Sequence, residues 1–290
     1  MRHALVFGAS GQIGRPLLAV LQREGWRVTA VSRSEHPDEP GLHWLRGELG
    51  AVPDLPARVD VIFSCGPLDR FAQWYAEADI EVARVIAFGS TSVEVKRGSA
   101  DAAERGVAQR LRQGEETVFA TAEKRGAGAT LLRPTLVYGA GRDATLTRIA
   151  SLARRWGRFP LPRGANGLRQ PVHVDDLAMA AFACSGVATT HGRAYALPGG
   201  ETLTYRDMVA RVLASLSPPP QLVELPSPLF NLALLVAQMT GRATGLGEAA
   251  VRRMRSDLVF DVTPAKQDFG YDPRPFRPRA NMFEPRADEA

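Results

Sequence analysis

Gly8, Gly11 and Gly14 stand in the run Gly8-Ala9-Ser10-Gly11-Gln12-Ile13-Gly14, spaced G-x-x-G-x-x-G. An apolar run, Ala4 to Phe7, precedes them. A helical pattern over Gln12 to Arg23 follows, with Ile13, Leu17, Leu18 and Leu21 on one face. Glycines so spaced between a strand and a helix suit the cradling of a pyrophosphate. The first allows the sharp turn, the second lets backbone N–H groups approach the phosphates, and the third lets the helix pack on the strand. Ser10, Gln12 and Ile13 share this turn, where the helix N-terminus brings N–H donors and the positive end of its dipole. About 20 residues further on, where dinucleotide folds read the adenosine ribose, the sequence is Ser32-Arg33-Ser34. A carboxylate there would repel a 2′-phosphate, whereas Arg33 and the flanking hydroxyls can hold one. The expected cofactor is NADP(H), with NAD(H) as the alternative and Ser32 and Arg33 as ribose-side contacts. Glu35, close by, works against that preference.

A second group could touch a substrate. Ser90, Thr91 and Ser92 end the fifth apolar run, and in open α/β sheets ligands sit at the carboxyl ends of strands. Ser90 would orient a reacting oxygen, and Thr91 or water would carry a proton. The plainer role for such hydroxyls is bonding to nearby backbone. Tyr138, at the end of the sixth strand, reads as a neighbour of the site. His173 precedes Asp175 and Asp176 and reads as a packed residue before a capped helix. Arg142, Arg163 and Arg169 fall in loops bordering the cleft and suit either an anionic substrate or solvent.

The elements that must position these residues alternate in type. Strands are expected at Ala4–Phe7, Arg27–Val31, His43–Arg46, Val59–Ser64, Val85–Phe88 and Ala129–Leu132. A helix is expected over Ala102–Lys124. Alternation of this kind signals a parallel sheet. Beyond Tyr138 the pattern loosens. Helices are expected at Leu146–Trp156, Val174–Cys184 and Tyr205–Ser215, a strand at Arg193–Leu197, and a Pro- and Gly-rich loop at Pro160–Gly167. The tail from Pro273 is expected to wrap the surface or fray. The fold class is therefore α/β: a Rossmann-type doubly wound parallel sheet with a smaller C-terminal substrate-side subdomain. Residues 1–140 form the dinucleotide-binding domain, with parts of 171–200 returning to it, and residues 141–290 are mainly the substrate side and tail.

The chain has 290 residues, a hydrophobic fraction of 45% and a net charge of +5. Of its 36 Lys and Arg residues only Lys96, Lys124 and Lys266 are lysines. The arginines are scattered, so a coding bias accounts for the charge better than a nucleic-acid partner. Cys65 and Cys184 lack metal-ligand spacing and read as buried apolar residues, which fits a reducing cytoplasm and no metal. No signal peptide is read ahead of the first strand. The longest apolar stretch, Leu229 to Met239, is too short to span a bilayer. The expected partner is a small-molecule substrate, with no nucleic acid and no membrane, and the chain is a monomer or a homodimer.

Several ordered motifs together resemble the short-chain dehydrogenase/reductase superfamily, in its extended or atypical branch of epimerase/dehydratase type. Besides the glycine turn these are LRGEL (Leu45–Leu49), IFSCGP (Ile62–Pro67), FGSTSVE (Phe88–Glu94), LRPTLVYGAG (Leu132–Gly141), PVHVDDLA (Pro171–Ala178) and YALPGGETLTYRDM (Tyr195–Met208). The resemblance covers most of the chain. It implies that Glu48 lies near the adenine, that Cys65, Gly66 and Pro67 line the cofactor, and that Pro134, Thr135 and Leu136 lie beside the nicotinamide. It also implies that the fifth-strand segment carries the catalytic Ser or Thr.

One feature of that family is missing. Its catalytic pair is Y-x-x-x-K on the helix after the fifth strand. Tyr gives or polarises the proton, and Lys lowers the Tyr pKa and holds the ribose. Four residues after the five tyrosines stand Asp79, Arg142, Gly199, Val209 and Pro275, so the pair occurs nowhere. If Glu116 takes the last place of a Y-x-x-x-K-x-x-x-E stretch, Ala108 stands for Tyr and Arg112 for Lys. Arg112 could then hold the ribose or a phosphate, although it cannot act as the lysine does. Two readings follow. One is an atypical NADP(H)-dependent oxidoreductase or epimerase/dehydratase-type enzyme. The other is a non-catalytic NADP(H)-binding redox sensor or assembly factor.

Overall fold

The computed structural model describes residues 1–51, 54–239 and 248–284. In chain order the first elements are β1 (His3–Phe7), α1 (Gly14–Arg23), β2 (Arg27–Ser32), β3 (Leu42–Arg46), β4 (Arg58–Ser64), α2 (Leu68–Glu77) and β5 (Glu81–Phe88). Then come α3 (Ser92–Val95), α4 (Ala102–Lys124), β6 (Gly128–Pro134), β7 (Val137–Tyr138), α5 (Leu146–Trp156), β8 (Arg158–Pro162), β9 (Leu168–Arg169) and β10 (Val172–His173). The last are α6 (Val174–Ser185), β11 (Arg193–Leu197), β12 (Leu203–Thr204), α7 (Tyr205–Ala214), β13 (Gln221–Leu225), α8 (Ser227–Met239), α9 (Glu248–Arg253) and α10 (Thr263–Phe269). Two compact units result.

The first unit comprises Met1–Thr135, Val174–Pro198 and Phe260–Pro273. Its seven-stranded sheet has the order β11-β6-β5-β4-β1-β2-β3, and every pairing is parallel. The order reverses at β1 and β4, the topological switch point of a doubly wound Rossmann sheet. The central strands are apolar on both faces because helices cover both. Leu5, Phe7 and Ile62 join Phe71 and Tyr75 of α2 and Val118 and Ala122 of α4 in one core cluster. Rings of Phe71 and Tyr75 stack at 5.8 Å. The segment 260–273, expected on the substrate side, belongs to this unit. Tyr271 inside it donates its hydroxyl to Pro198 O at 2.9 Å, and Asp268 on α10 accepts from the Tyr195 hydroxyl of β11.

Arg84 of β5 is a buried cation. It is 4% exposed. Its Nη2 donates to Thr130 Oγ1 at 2.6 Å, Thr190 Oγ1 at 2.5 Å and the Cys184 carbonyl at 3.0 Å. Cys184 lies in the last turn of α6, where a cation is favoured by the helix dipole. Burial pushes the Arg84 pKa down.

The second unit comprises Leu136–His173, Gly199–Val259 and Arg274–Ala290. Its core gathers Leu146, Ile149 and Ala150 of α5, Met208 and Val212 of α7, Leu161 of β8, and Phe276 and Phe283 of the tail segment. The loop expected over Pro160–Gly167 is in its first part a strand: β8 pairs in parallel with β13. Two prolines are tolerated there because a two-stranded pair leaves one strand edge free of donors. Of the proline-rich tail, residues 285–290 lie outside the described residues. No helix among the described residues is long and apolar enough to cross a membrane.

Candidate functional site

The site is built on the first unit, at the carboxyl ends of β1, β2, β4, β5 and β6, of which β1, β4 and β5 lead into α1, α2 and α3. After β1 the chain turns at Gly8, whose φ is +67°. A Cβ there would lie 2.9 Å from the backbone of Cys65 and Gly66. Only glycine permits both the left-handed backbone and the close approach to the end of β4. The Gly11 N–H donates to Gly8 O at 2.9 Å, closing the turn. A Cβ on Gly14 would lie 2.6 Å from Ala9 O and nearer still to Gly8 O, so α1 packs against the turn only because residue 14 has no side chain. The N-cap residue of α1 is Ile13, which supplies no side-chain acceptor to the first N–H groups. Gln12 Oε1 is buried with no partner. A bare turn, an uncapped helix start and an orphaned polar atom beside them fit a pyrophosphate.

The ribose corner lies at the end of β2. Ser32, 5% exposed, donates its hydroxyl proton to Ser10 Oγ at 3.0 Å. Its oxygen accepts from Ser34 N–H at 3.2 Å and lies 3.1 Å from His36 Nε2. Arg33 is exposed. Glu35 is turned to Arg46 of β3, Oε1 to Nη1 at 2.7 Å, and so does not oppose an anion beside Arg33. The predicted Glu48 is also ion-paired, 3.9 Å from Arg70 Nη1 of α2.

At the end of β4, Cys65 N–H donates to Phe7 O at 2.9 Å, and burial pushes the Cys65 thiol up to about 12. This thiol is neutral and wall-like, since a reactive cysteine needs a lowered pKa. Gly66 follows, and Pro67 is the N-cap residue of α2.

At the end of β5 the two predicted catalytic hydroxyls part in role. Thr91, 7% exposed, donates both its N–H (3.3 Å) and its hydroxyl (3.2 Å) to Pro134 O of β6. Its proton is committed to structure, so the relay through Thr91 is not supported. Ser90 Oγ accepts from Ser92 N–H at 3.1 Å, which leaves its own proton to give. Pro134 is thereby tied to Thr91. Thr135 N–H donates to Leu197 O at 3.3 Å, and Leu136 falls in the second unit.

On α4 the two adjacent glutamates differ in environment. Glu116 is exposed, whereas Glu115 is 5% exposed. Glu115 receives Arg133 Nε at 2.7 Å and Nη2 at 2.5 Å, and Arg133 Nη1 reaches Glu94 of α3 at 2.9 Å. Paired charge raises the Arg133 pKa, first through Glu115. Counted from Glu115 in place of Glu116, the Tyr and Lys places of a Y-x-x-x-K-x-x-x-E stretch would fall on Val107 and Leu111, neither of which can donate a proton. Ala108 is buried and Arg112 is exposed, so the sheet-facing side of the helix does not carry Arg112. Adjacent glutamates hid this. The spacing of Ala108, Leu111, Glu115, Val118 and Ala122 on one helical face was the signal that could have found it.

In the second unit Tyr138 is 1% exposed. Its ring meets those of His173 at 5.1 Å and Phe276 at 4.9 Å edge-on, as core packing. Arg169 is buried and donates to the carbonyls of Leu168, Ser256 and Arg253, so it pins the end of α9 and is not offered to a substrate. Arg142 and Arg163 are exposed.

The sequence model of the NAD dependent epimerase/dehydratase family matches residues 4–92. The chain is 27% identical to 2-alkyl-3-oxoalkanoate reductase of Stenotrophomonas maltophilia, over 93% of this chain and 94% of that protein. The epimerase Mth375 of Methanothermobacter thermautotrophicus superposes with a TM-score of 0.73 at 14% identity, over 97% of this chain and 90% of that one. The UDP-glucuronic acid 4-epimerase of Bacillus cereus, solved in complex with NAD, superposes with a TM-score of 0.69 at 12% identity, over 99% and 97%. These last two show a shared fold. The glycine turn and the sheet order agree with the family match: the first unit is a Rossmann-type α/β fold whose residues 4–92 are similar to the NAD dependent epimerase/dehydratase family.

Proposed function

We propose that this chain binds NADP(H) in preference to NAD(H) and uses it to reduce or oxidise a small polar substrate without a Tyr–Lys relay. The Glu35–Arg46 ion pair carries the cofactor preference. It takes up Glu35, two residues from Arg33, and leaves the exposed Arg33 to face a 2′-phosphate. Gly8, Ser10, Gly11, Gln12, Ile13 and Gly14 would hold the pyrophosphate, Ser32 and Arg33 the adenosine side, and Cys65, Gly66, Pro67 and Pro134 the walls. The nicotinamide would supply or accept hydride. Ser90 would orient the substrate oxygen and give it a proton that solvent replaces. A positioned general acid contributes about 10²–10⁴-fold, so turnover is expected to be slow for this superfamily. The substrate is a small molecule, and the likeness to a 3-oxoalkanoate reductase makes ketones the first class to test.

Arg33→Ala is expected to weaken NADPH by about tenfold or more, about 1.4 kcal/mol, and to leave NADH unchanged. Nucleotide fluorescence titrations measure both, and equal losses for the two nucleotides would sink the assignment. Turnover is tested by NADPH oxidation against a panel of ketones. Ser90→Ala is expected to reduce kcat with little change in NADPH affinity.

The missing Tyr-x-x-x-Lys pair favours a second reading, a non-catalytic NADP(H)-binding sensor or assembly subunit. Tight NADPH binding with no oxidation on any ketone, and no difference between wild type and Ser90→Ala, would support it over the first.

A further inference from the structure

His36 is placed at the ribose corner by two separate contacts. Because Ser32 gives its proton to Ser10, the Ser32 oxygen accepts from His36 Nε2–H at 3.1 Å. A chain of hydroxyls thus links His36 to the glycine turn. The imidazole also packs against the Trp44 ring, 4.2 Å between centroids, and with Nε2 bonded to Ser32 the nitrogen that gains a proton is Nδ1. We infer that His36 is a specificity-determining residue: as an imidazolium it joins Arg33 in holding the 2′-phosphate, so that discrimination of NADP(H) from NAD(H) strengthens as pH falls. The inference rests on the NADP(H) reading above.

The charged groups around His36 come from three elements. Arg15 stands at the start of α1, close enough to act on His36 electrostatically. From the chain between β2 and β3 come Arg33, Glu35 and Asp38. Glu35 is neutralised by Arg46 of β3. Asp38 is held by His43 Nδ1 at 2.6 Å and by Trp44 N–H at 2.7 Å, and those two bonds keep its carboxyl below the usual range. Neither carboxylate is left to pair with His36. Burial, and then the Arg15 guanidinium, push the His36 pKa below its ordinary value, which favours the neutral imidazole before nucleotide binds. A phosphate dianion against it favours the charged form and raises that pKa. A group whose pKa rises on binding takes up a proton, and affinity then grows as pH falls.

The test is titration of the full chain with NADPH and with NADH between about pH 6 and 8, the range in which histidine titrates, for wild type and His36→Gln. The ratio of NADH to NADPH Kd is the quantity read. In wild type it is expected to fall several-fold as pH rises, because protonated His36 is lost from the bound form. In His36→Gln only the slope from the phosphate's own ionisation, with a pKa of about 6, should remain, and that slope is common to both proteins. Equal pH slopes in the two proteins overturn the inference and leave the NADP(H) reading standing. So does an equal loss of both nucleotides with the slope retained, since that marks a merely structural role. A ratio of one or below in wild type at every pH overturns the NADP(H) reading itself.

Discussion

Replacing Arg133 by alanine is expected to destabilise the protein by about 3–5 kcal/mol, the cost of leaving one partner of a buried ion pair uncompensated. The Glu115 side chain is 7% exposed and that of Arg133 21%. Two parallel N–H···O bonds join them, at 2.7 and 2.5 Å. Removing the guanidinium strands the carboxylate between α4 and the sheet. Glu115→Ala should cost a similar amount for the converse reason. Arg133→Met combined with Glu115→Leu should recover most of the loss, because no charge is then left buried. Urea unfolding followed by circular dichroism measures all three. A loss below about 1 kcal/mol for Arg133→Ala, the range of exposed pairs, would show that the pair is solvated. The same change should slow any turnover, since Arg133 also holds Glu94 of α3. A Cβ built on Gly89, the residue before Ser90, would lie 3.3 Å from Glu115 Oε1.

Gly14→Ala is the second large effect. Its new methyl would meet Ala9 O at 2.6 Å with Gly8 O closer, and both are backbone atoms that cannot swing aside. Overpacking of this kind costs about 1–3 kcal/mol. The part of the cost relieved by moving the turn falls on the pyrophosphate cradle. NADPH affinity is expected to drop by about 100-fold, equivalent to about 2.7 kcal/mol. Gly98→Ala serves as the control, because nothing lies within 4 Å of a Cβ there, and it should leave both stability and affinity alone. Affinity retained in Gly14→Ala would mean that the nucleotide does not sit on this turn.

Much of the first unit was legible because its cues are local. The glycine spacing, the apolar runs of β1, β2, β4, β5 and β6, and the capped start of α4 at Asp101, whose side chain accepts from Ala103 N–H at 2.8 Å, each depend on residues within a few positions. The order of the strands then follows from the short right-handed crossovers that parallel strands require. The second unit was less legible. β8 carries Pro160 and Pro162 and its partner β13 lies some sixty positions later, so local propensity argued for a loop.

The Rossmann-type sheet, its glycine-rich turn and the lack of a Tyr-x-x-x-Lys pair were all legible in the sequence. Those are properties of residue type and short-range spacing. Tertiary structure alone decided between Glu115 and Glu116 as the buried partner of Arg133. It alone turned Glu35 to Arg46 and tied Thr91 to Pro134. It also spent Arg169 on backbone carbonyls and joined His36 through Ser32 to Ser10. Each of these outcomes depends on which face of an element meets which neighbour across the sheet or across a loop, and adjacent residues of the same type differ in that respect only once the chain is packed.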